Sequence, residues 1–170
     1  WQNYRNAKSL LFQDLMQGHR KPGIPKLSVV NLDDPASADY LLSIPADSYL
    51  TYGLETGDYR ASELEFGADY TRFSLHLQNK RPISIQSELV GRHNISNMLA
   101  AAAAAHGLGL KRKLIKRGLE AVKTIPGRME RIDEGQDFLA VVDFAHTPNA
   151  LRRAIEAARL MIPSDGRVIV

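Results

Sequence analysis

Apolar positions in the first third of the chain alternate between helical spacing and short continuous runs. Apolar residues three and four positions apart predict an amphipathic helix over 6–17, ended by Gly18. Short apolar runs predict strands over 27–32 and 49–52, and the helix predicted between them over 35–42 begins at a proline, which a first turn tolerates. The order helix, strand, helix, strand indicates an α/β sheet. The apolar face predicted for the first helix consists of Ala7, Leu10, Leu11 and Leu15.

The spacing changes to an alternation of apolar and polar positions in the next segment. Residues 59–66, 71–77 and 82–86 have this period of two, with turn-forming residues between them and the clearest turn at 78–80. Such alternation is typical of antiparallel strands with one buried face. We therefore expect antiparallel strands at the edge of the first domain, which makes its sheet a mixed one.

Helical spacing returns in two consecutive segments. Asn94 is suited to cap a helix over 94–106, because its short amide can accept a hydrogen bond from a free backbone N–H group. Alanines fill the second half of this helix and permit close packing, and Gly107 is suited to end it. Another helix is predicted over 111–123. The side chains expected to pack inward around it are Leu110, Leu114, Ile115, Leu119 and Val122.

A proline–glycine pair at 126–127 then interrupts the chain. Residues 129–133 and 138–144 predict a hairpin around Glu134-Gly135. Thr147 and the proline after it are suited to begin a helix that extends to residue 161. The apolar run 167–170 predicts a last strand, so that strand, helix and strand form the opening of a second α/β unit.

The predicted fold is therefore α/β in two parts. A mixed sheet with helices occupies residues 1–125, and a βαβ unit occupies residues 126–170. The chain begins at Trp1 without an initiator methionine and ends inside a strand-like run. We expect it to be a piece of a longer protein.

Composition narrows the class of protein but does not identify it. Of the 170 residues, 44% are hydrophobic and 24% charged, which is typical of a soluble globular domain. No apolar run approaches the roughly 20 residues that span a bilayer. Cysteine is absent, which excludes disulfides and thiolate metal sites and fits a cytoplasmic protein. The net charge of +3 is too small to indicate nucleic acid binding, and the basic run 111–117 is typical of a solvated helix face.

The common catalytic motifs are absent from the sequence. It contains no GxxxxGK[ST] or GxGxxG phosphate loop, no HExxH metal motif and no GxSxG nucleophile elbow. The five histidines lack the spacing of metal ligands. The site must therefore be sought in less familiar segments.

Three short segments place polar side chains where an α/β protein binds ligands. Asn94 and Asn97, on a first helical turn, can present amides to an adenine edge, or can serve as a cap and a surface residue. Arg128, at the inferred domain joint, can bind phosphate oxygens or form a surface salt bridge with Glu130. Asp143 follows a strand and can accept from ribose hydroxyls or cap a turn, and the loop beyond it carries a histidine.

The order and the amino-acid sequences of these segments resemble those of one family. Residues 91–104 resemble the GxxNxxNxLAAxA helix of the Mur ligases, 125–130 is similar to the VPGRME joint of their MurE-type members, and 142–149 resembles the VDYAHTPD segment of those members. Residues 30–35 and 51–54 look like parts of the same middle domain. Three positions depart from the usual pattern, namely His93, Phe144 and Asn149.

This resemblance implies a fold and a ligand. The chain would cover the second part of a Mur ligase middle domain and the start of a Rossmann-like C-terminal domain, with ATP between them. Asn94 and Asn97 would lie near the adenine, Arg128 near the phosphates and Asp143 near the ribose. His146 is a further candidate neighbour of the ATP site.

The resemblance also implies a reaction. Such enzymes use ATP and Mg²⁺ to phosphorylate the terminal carboxylate of UDP-N-acetylmuramoyl-dipeptide, and the amine of an amino acid, diaminopimelate or lysine, then forms the amide. The phosphate loop, the magnesium-binding carboxylate and the modified lysine of the family precede the matched region. No catalytic residue, metal ligand or independent activity is therefore expected in this chain, and no nucleic acid or membrane partner.

Two other interpretations stay open on the sequence. The first is a related amide ligase of the cyanophycin synthetase or folylpolyglutamate synthase type. The sequence of residues 125–130 argues against this interpretation. The second is a non-catalytic module that binds nucleotide or nucleic acid through the basic run 111–117.

Overall fold

The computed structural model describes residues 2–78 and 80–170, so the predicted turn over 78–80 includes one residue outside the described ranges. The order of helices and strands agrees with the sequence prediction as far as the last helix. The helices are α1 (Gln2–Gln13), α2 (Pro35–Leu42), α3 (Arg92–Gly107), α4 (Arg112–Ala121) and α5 (Pro148–Leu160). The strands are β1 (Leu27–Asn31), β2 (Ser48–Tyr52), β3 (Arg60–Phe66), β4 (Thr71–His76), β5 (Ile83–Ser87), β6 (Glu130–Ile132) and β7 (Ala140–Val142).

Strand pairing agrees with the predicted division into parallel and antiparallel parts. β1 and β2 are parallel, as expected for strands joined by a helical crossover. β3, β4 and β5 form an antiparallel sheet, which touches the parallel pair through a bridge between Tyr52 and Tyr59. β6 and β7 form the predicted antiparallel hairpin. The mixed α/β fold class is confirmed.

Two hydrophobic clusters divide the molecule. The larger one packs α3 and α4 against both sheets of the first part, and the fully buried Ala102 and Ala103 let α3 approach the strands closely. The smaller cluster joins the hairpin to α5. Its buried members are Val90, Met129, Ala157 and Met161. Because Val90 lies two residues before the start of α3, this second cluster fixes the hairpin and α5 to the start of that helix.

The predicted apolar face of the first helix is wrong in position and in burial. α1 ends at Gln13 rather than at residue 17, and Leu10 and Leu11 are 53% and 77% exposed. The buried side chain of α1 is Ser9, whose hydroxyl donates to the Asn6 carbonyl at 2.8 Å. α1 contacts α2 through polar groups, since Gln13 Nε2 donates to the Tyr40 hydroxyl at 3.2 Å.

The predicted caps of α3 are also wrong. The helix begins at Arg92, and Gly91 occupies the cap position with φ of 106°, a conformation that glycine adopts without strain. Asn94 lies inside the first turn, where its amide Nδ2 donates to the Val90 carbonyl at 2.9 Å. Gly107 is the last residue of α3 rather than its C-cap.

The second basic helix is shorter than predicted, and this changes which side chains it buries. α4 begins at Arg112 and ends at Ala121, so Leu110 and Val122 lie outside it and are exposed, as is Leu114. The buried side chains of α4 are Ile115 and Leu119. Arg112 and Lys116 donate to backbone carbonyls of 81 and 84, which docks α4 on the β5 region.

The predicted last strand does not form. Residues 167–170 form no regular secondary structure, and Ile169 is 92% exposed. A strand requires a hydrogen-bonded neighbour, and no strand within the described ranges supplies one to these residues. The start of the preceding helix is confirmed, since the Thr147 side chain accepts from the Ala150 N–H at 3.3 Å.

Two helical glycines provide a matched test of the α3 packing. A Cβ at Gly107 would lie 2.4 Å from Leu27 Cδ2 and 2.8 Å from Leu50 Cδ1, whereas nothing lies within 4 Å of a Cβ at Gly118 in α4. Gly107→Ala is therefore expected to lower the free energy of unfolding by about 1–3 kcal/mol. Gly118→Ala is expected to raise it by roughly 0.5–1 kcal/mol, because alanine favours helix. Urea unfolding measures both, and equal effects would contradict the close α3–β1 contact.

Candidate functional site

The predicted phosphate ligand Arg128 is the last residue of a tight turn between the two parts. Its backbone N–H donates to the Ile125 carbonyl at 2.9 Å, and Gly127 has φ of 68°. Proline followed by a glycine with positive φ is the sequence that a type II turn requires. The pair Pro126-Gly127 thus sets the direction in which the chain delivers Arg128.

The residue after Arg128 is held in an unusual conformation. Met129 has φ of 48°, which costs energy for a residue other than glycine, and its side chain is buried in the smaller cluster. Its backbone N–H donates to Asp143 Oδ2 at 2.9 Å. The Phe144 N–H donates to the Gly127 carbonyl at 2.8 Å, which ties the same loop to the end of β7. We call residues 125–129 the joint loop.

Asp143 therefore has a structural task at the predicted ribose site. Its Oδ1 accepts from the Ala145 N–H at 2.8 Å, while its Oδ2 accepts from the Met129 N–H. Each carboxylate oxygen has a second lone pair, and the side chain is only partly buried. The group can hold the joint loop and still accept a hydrogen bond from a ligand.

A cleft of about 830 Å³ lies between α3, the joint loop and α5. This volume falls within the roughly 300–1,000 Å³ of small-molecule sites. We call it the joint cleft. Three of the residues predicted from sequence lie on its wall, namely Asn97, Arg128 and Asp143. Other side chains on the wall are Tyr4, His93, Asn149 and Arg153.

Two other predicted residues have different positions. Asn94 is 1% exposed and lies beneath the surface, and its Oδ1 has no hydrogen-bond partner among the described residues. His146 is exposed, and its Nδ1 lies 3.0 Å from the Phe144 carbonyl with its ring against that of Phe144. Neither lines the joint cleft, so their contacts with a nucleotide stay predictions.

The salt-bridge alternative for Arg128 finds no support. Glu130, the partner considered for it, accepts from the Gly127 N–H at 2.7 Å. Among the residues that the structure describes, no carboxylate forms an ion pair with the exposed Arg128 guanidinium. An arginine fork without a partner, on the wall of a cleft, is suited to bind an anionic ligand.

His93 and Arg153 were not predicted as site residues. Arg153 lies on the same face of α5 as Asn149 and Ala150, at helical spacing, so extending the Asp143 segment along its helix could have found it. Burial is the main cause that lowers the pKa of His93 below its ordinary value. The nearby Asp143 raises this pKa, and the two arginines lower it. The imidazole is therefore neutral at neutral pH and adds no positive charge to the cleft.

A second, smaller cavity adjoins the joint cleft. It has about 470 Å³, and its wall includes Asp33, Asp34 and Arg92 besides the shared His93 and Arg153. Asp33 follows β1, and its Oδ1 accepts from the Leu54 N–H at 3.0 Å. We call this the adjoining cavity. Its position at the carboxyl end of a parallel strand is the usual location of ligand sites in α/β sheets.

Metal-binding and membrane-spanning features are absent within residues 2–78 and 80–170. No three His, Asp or Glu side chains there form a group that could hold a metal ion. None of the described helices has the length and apolar character to cross a bilayer.

The sequence matches two protein families in the order that the fold suggests. Residues 1–105 match the Mur ligase middle domain, and residues 127–170 match the Mur ligase, glutamate ligase domain. A UDP-N-acetylmuramoyl-L-alanyl-D-glutamate--2,6-diaminopimelate ligase from Geobacillus kaustophilus is 36% identical over 170 residues, which are 99% of this chain and 34% of that protein. One of the same name from Bacillus velezensis is 40% identical over 172 residues, with the same coverage.

Solved structures agree with these matches. A structure of a ligase with the same diaminopimelate name is 31% identical, with a TM-score of 0.70 over 94% of this chain and 32% of the other. The MurF ligase from Thermotoga maritima in complex with ADP is 23% identical, with a TM-score of 0.68 over 81% of this chain and 31% of the other, and shows the fold alone. The chain spans about a third of the length of the curated relatives it matches. The chain belongs to the Mur ligase family.

Proposed function

We propose that this chain is part of an ATP-dependent cytoplasmic ligase that adds diaminopimelate to UDP-N-acetylmuramoyl-L-alanyl-D-glutamate in peptidoglycan synthesis. The observation that carries the proposal is the joint cleft, where Asn97, Arg128 and Asp143 meet between two Mur ligase domains. The names of the relatives favour diaminopimelate over lysine, a choice that the residues of this chain leave open. We infer domain limits of 1–125 and 126–170, with the joint loop as the connection.

The residues of the cleft fit a nucleotide in chemistry as well as in size. The exposed Asn97 amide can both donate to and accept from an adenine edge. Asp143 can accept from a ribose hydroxyl with its remaining lone pairs, and Arg128 can neutralise phosphate oxygens. Asn94 supports this arrangement from below, since its Nδ2 fixes the start of α3 to Val90.

The reaction assigned to these residues is positioning of a phosphoryl donor. When bound, ATP supplies the phosphoryl group that activates the substrate carboxylate for attack by the amine. Arg128 stabilises negative charge that shifts during the transfer, and the joint loop keeps its guanidinium at the cleft wall. We assign most of the magnesium ligands to parts of the ligase beyond this chain, as the family resemblance implies.

The proposal is tested on the complete polypeptide that contains this chain, called the complete ligase below. It is incubated with ATP, Mg²⁺, UDP-N-acetylmuramoyl-L-alanyl-D-glutamate and diaminopimelate, and phosphate release is measured. We expect release that requires every component and is much slower when lysine replaces diaminopimelate. Release without the UDP-linked acceptor, or with folate and glutamate in its place, would contradict the proposed substrate. The 170-residue chain alone is expected to release none.

A further inference from the structure

Arg153 has no role in the fold that the described contacts reveal. It is exposed on α5, and no hydrogen bond or ion pair joins its guanidinium to another described residue. Its backbone is nevertheless firmly placed. Ala157 lies one turn further along α5 and is buried, and a Cβ at Gly91 would come within 3.0 Å of the Ala157 Cβ. This close approach sets Arg153 over the first turn of α3, beside His93.

The position of Arg153 differs from that of Arg128 in one respect. Arg153 borders both the joint cleft and the adjoining cavity, whereas Arg128 borders the joint cleft and not the adjoining cavity. Asn97 and Asp143, the groups proposed to hold the adenine and the ribose, also border the joint cleft and not the adjoining cavity. Arg153 is therefore placed where a phosphate chain that extends from Asn97 and Asp143 towards the adjoining cavity would meet a second guanidinium.

The charges on the cleft wall favour a polyphosphate ligand. The wall of the joint cleft carries two arginines and one carboxylate, and both oxygens of that carboxylate already accept from backbone amides. The carboxylates of Asp33, Asp34 and Glu156 lie on the wall of the adjoining cavity and not in the joint cleft. A single arginine cannot neutralise the several negative charges of a triphosphate. A second free arginine fork in the same cleft adds counter-charge with bidentate geometry.

We propose that Arg153 binds the γ-phosphate of ATP and holds it at the opening between the joint cleft and the adjoining cavity. This inference rests on the proposed function, since it takes ATP as the ligand of the joint cleft. It adds a second phosphate-binding arginine to the site.

The test compares nucleotide affinities of the complete ligase and its variants by titration calorimetry with ATP, ADP and AMP. Arg153→Ala is expected to weaken ATP binding about tenfold and to leave ADP and AMP binding nearly unchanged, because both lack the γ-phosphate that Arg153 contacts. Arg153→Lys should recover part of the loss, since it keeps the charge but loses the fork. Arg152→Ala is the matched control, because Arg152 is exposed on α5 and outside the walls of both cavities.

The possible outcomes separate the two proposals. Absence of ATP binding by the wild-type complete ligase would overturn the proposed function. Wild-type binding of ATP with an unchanged ATP affinity for Arg153→Ala would overturn the role of Arg153 alone. Equal losses for ATP and AMP would also overturn it, because they would indicate a structural effect on the whole cleft. A loss for Arg152→Ala as large as for Arg153→Ala would assign the effect to general surface charge.

Discussion

Replacement of Arg128 by alanine in the complete ligase is expected to lower kcat about 100-fold, with a smaller rise in the KM for ATP. The guanidinium lies on the wall of the joint cleft without a carboxylate partner among the described residues, so a bound phosphate would be its ion partner. Charge on the phosphate oxygens shifts during phosphoryl transfer, and a fixed cation stabilises the transition state more than the ground state. Steady-state phosphate release at varied ATP concentration measures both constants.

The control for Arg128 lies three residues further along the chain. Arg131 is exposed in β6 and outside the wall of the joint cleft, so Arg131→Ala should keep the wild-type kcat. Circular dichroism must first show that both variants are folded. A folded Arg128→Ala with wild-type kcat and KM would remove Arg128 from the phosphate site. The residue would then be an ordinary surface arginine, worth at most about 1 kcal/mol in any ion pair.

Local signals in the sequence predicted much of the fold. The period-two segments became β3, β4 and β5, and the Thr147-Pro148 pair began α5 as expected. The Pro126-Gly127 pair lies in a tight turn, in which the Arg128 N–H donates to the Ile125 carbonyl. These features depend on residues close together in the chain, such as a cap, a turn or an alternating face. Reasoning from propensity and spacing therefore reached them without knowledge of the packing.

The errors arose where burial is decided by distant residues. Helical spacing correctly indicated that α1 is a helix but could not identify Ser9 as the side chain it buries. Asn94 has the chemistry of a cap, yet Gly91 reaches a backbone conformation that moves the helix start to Arg92. The run 167–170 has the composition of a strand but lacks a pairing partner within the described ranges.

Some features of the candidate site could also be predicted from the sequence, and others depend on contacts between distant residues. Resemblance to a family named Asn97, Arg128 and Asp143, and the structure brings these three to one cleft. The resemblance could not reveal that the Asp143 carboxylate accepts a hydrogen bond from the Met129 N–H, because the pairing of the hairpin strands brings these two residues together. Arg153 was missed because its place depends on the phase of α5 and on the contact between Gly91 and Ala157.

The bonds of Asp143 change what its substitution should do. If the carboxylate only met a ribose, Asp143→Asn would mainly raise the KM for ATP. In the structure its two oxygens accept from two backbone N–H groups, those of Met129 and Ala145. An asparagine offers one oxygen, and its NH₂ group would face the other N–H, donor against donor. One backbone donor loses its partner, and the other loses an ionised acceptor.

We therefore expect Asp143→Asn to lower the free energy of unfolding by about 1–3 kcal/mol and to lower kcat together with ATP affinity. The kinetic effect follows because the lost bond holds Met129 at its positive φ, and Arg128 directly precedes it in the joint loop. Asp137→Asn is the matched control: its side chain is exposed in the same hairpin, and a change within about 0.5 kcal/mol is expected. Urea unfolding and steady-state kinetics of the complete ligase measure the two effects. An Asp143→Asn variant that keeps wild-type stability and kcat and raises only the KM for ATP would contradict this expectation. The carboxylate would then contact only the nucleotide, and the joint loop would hold Arg128 without it.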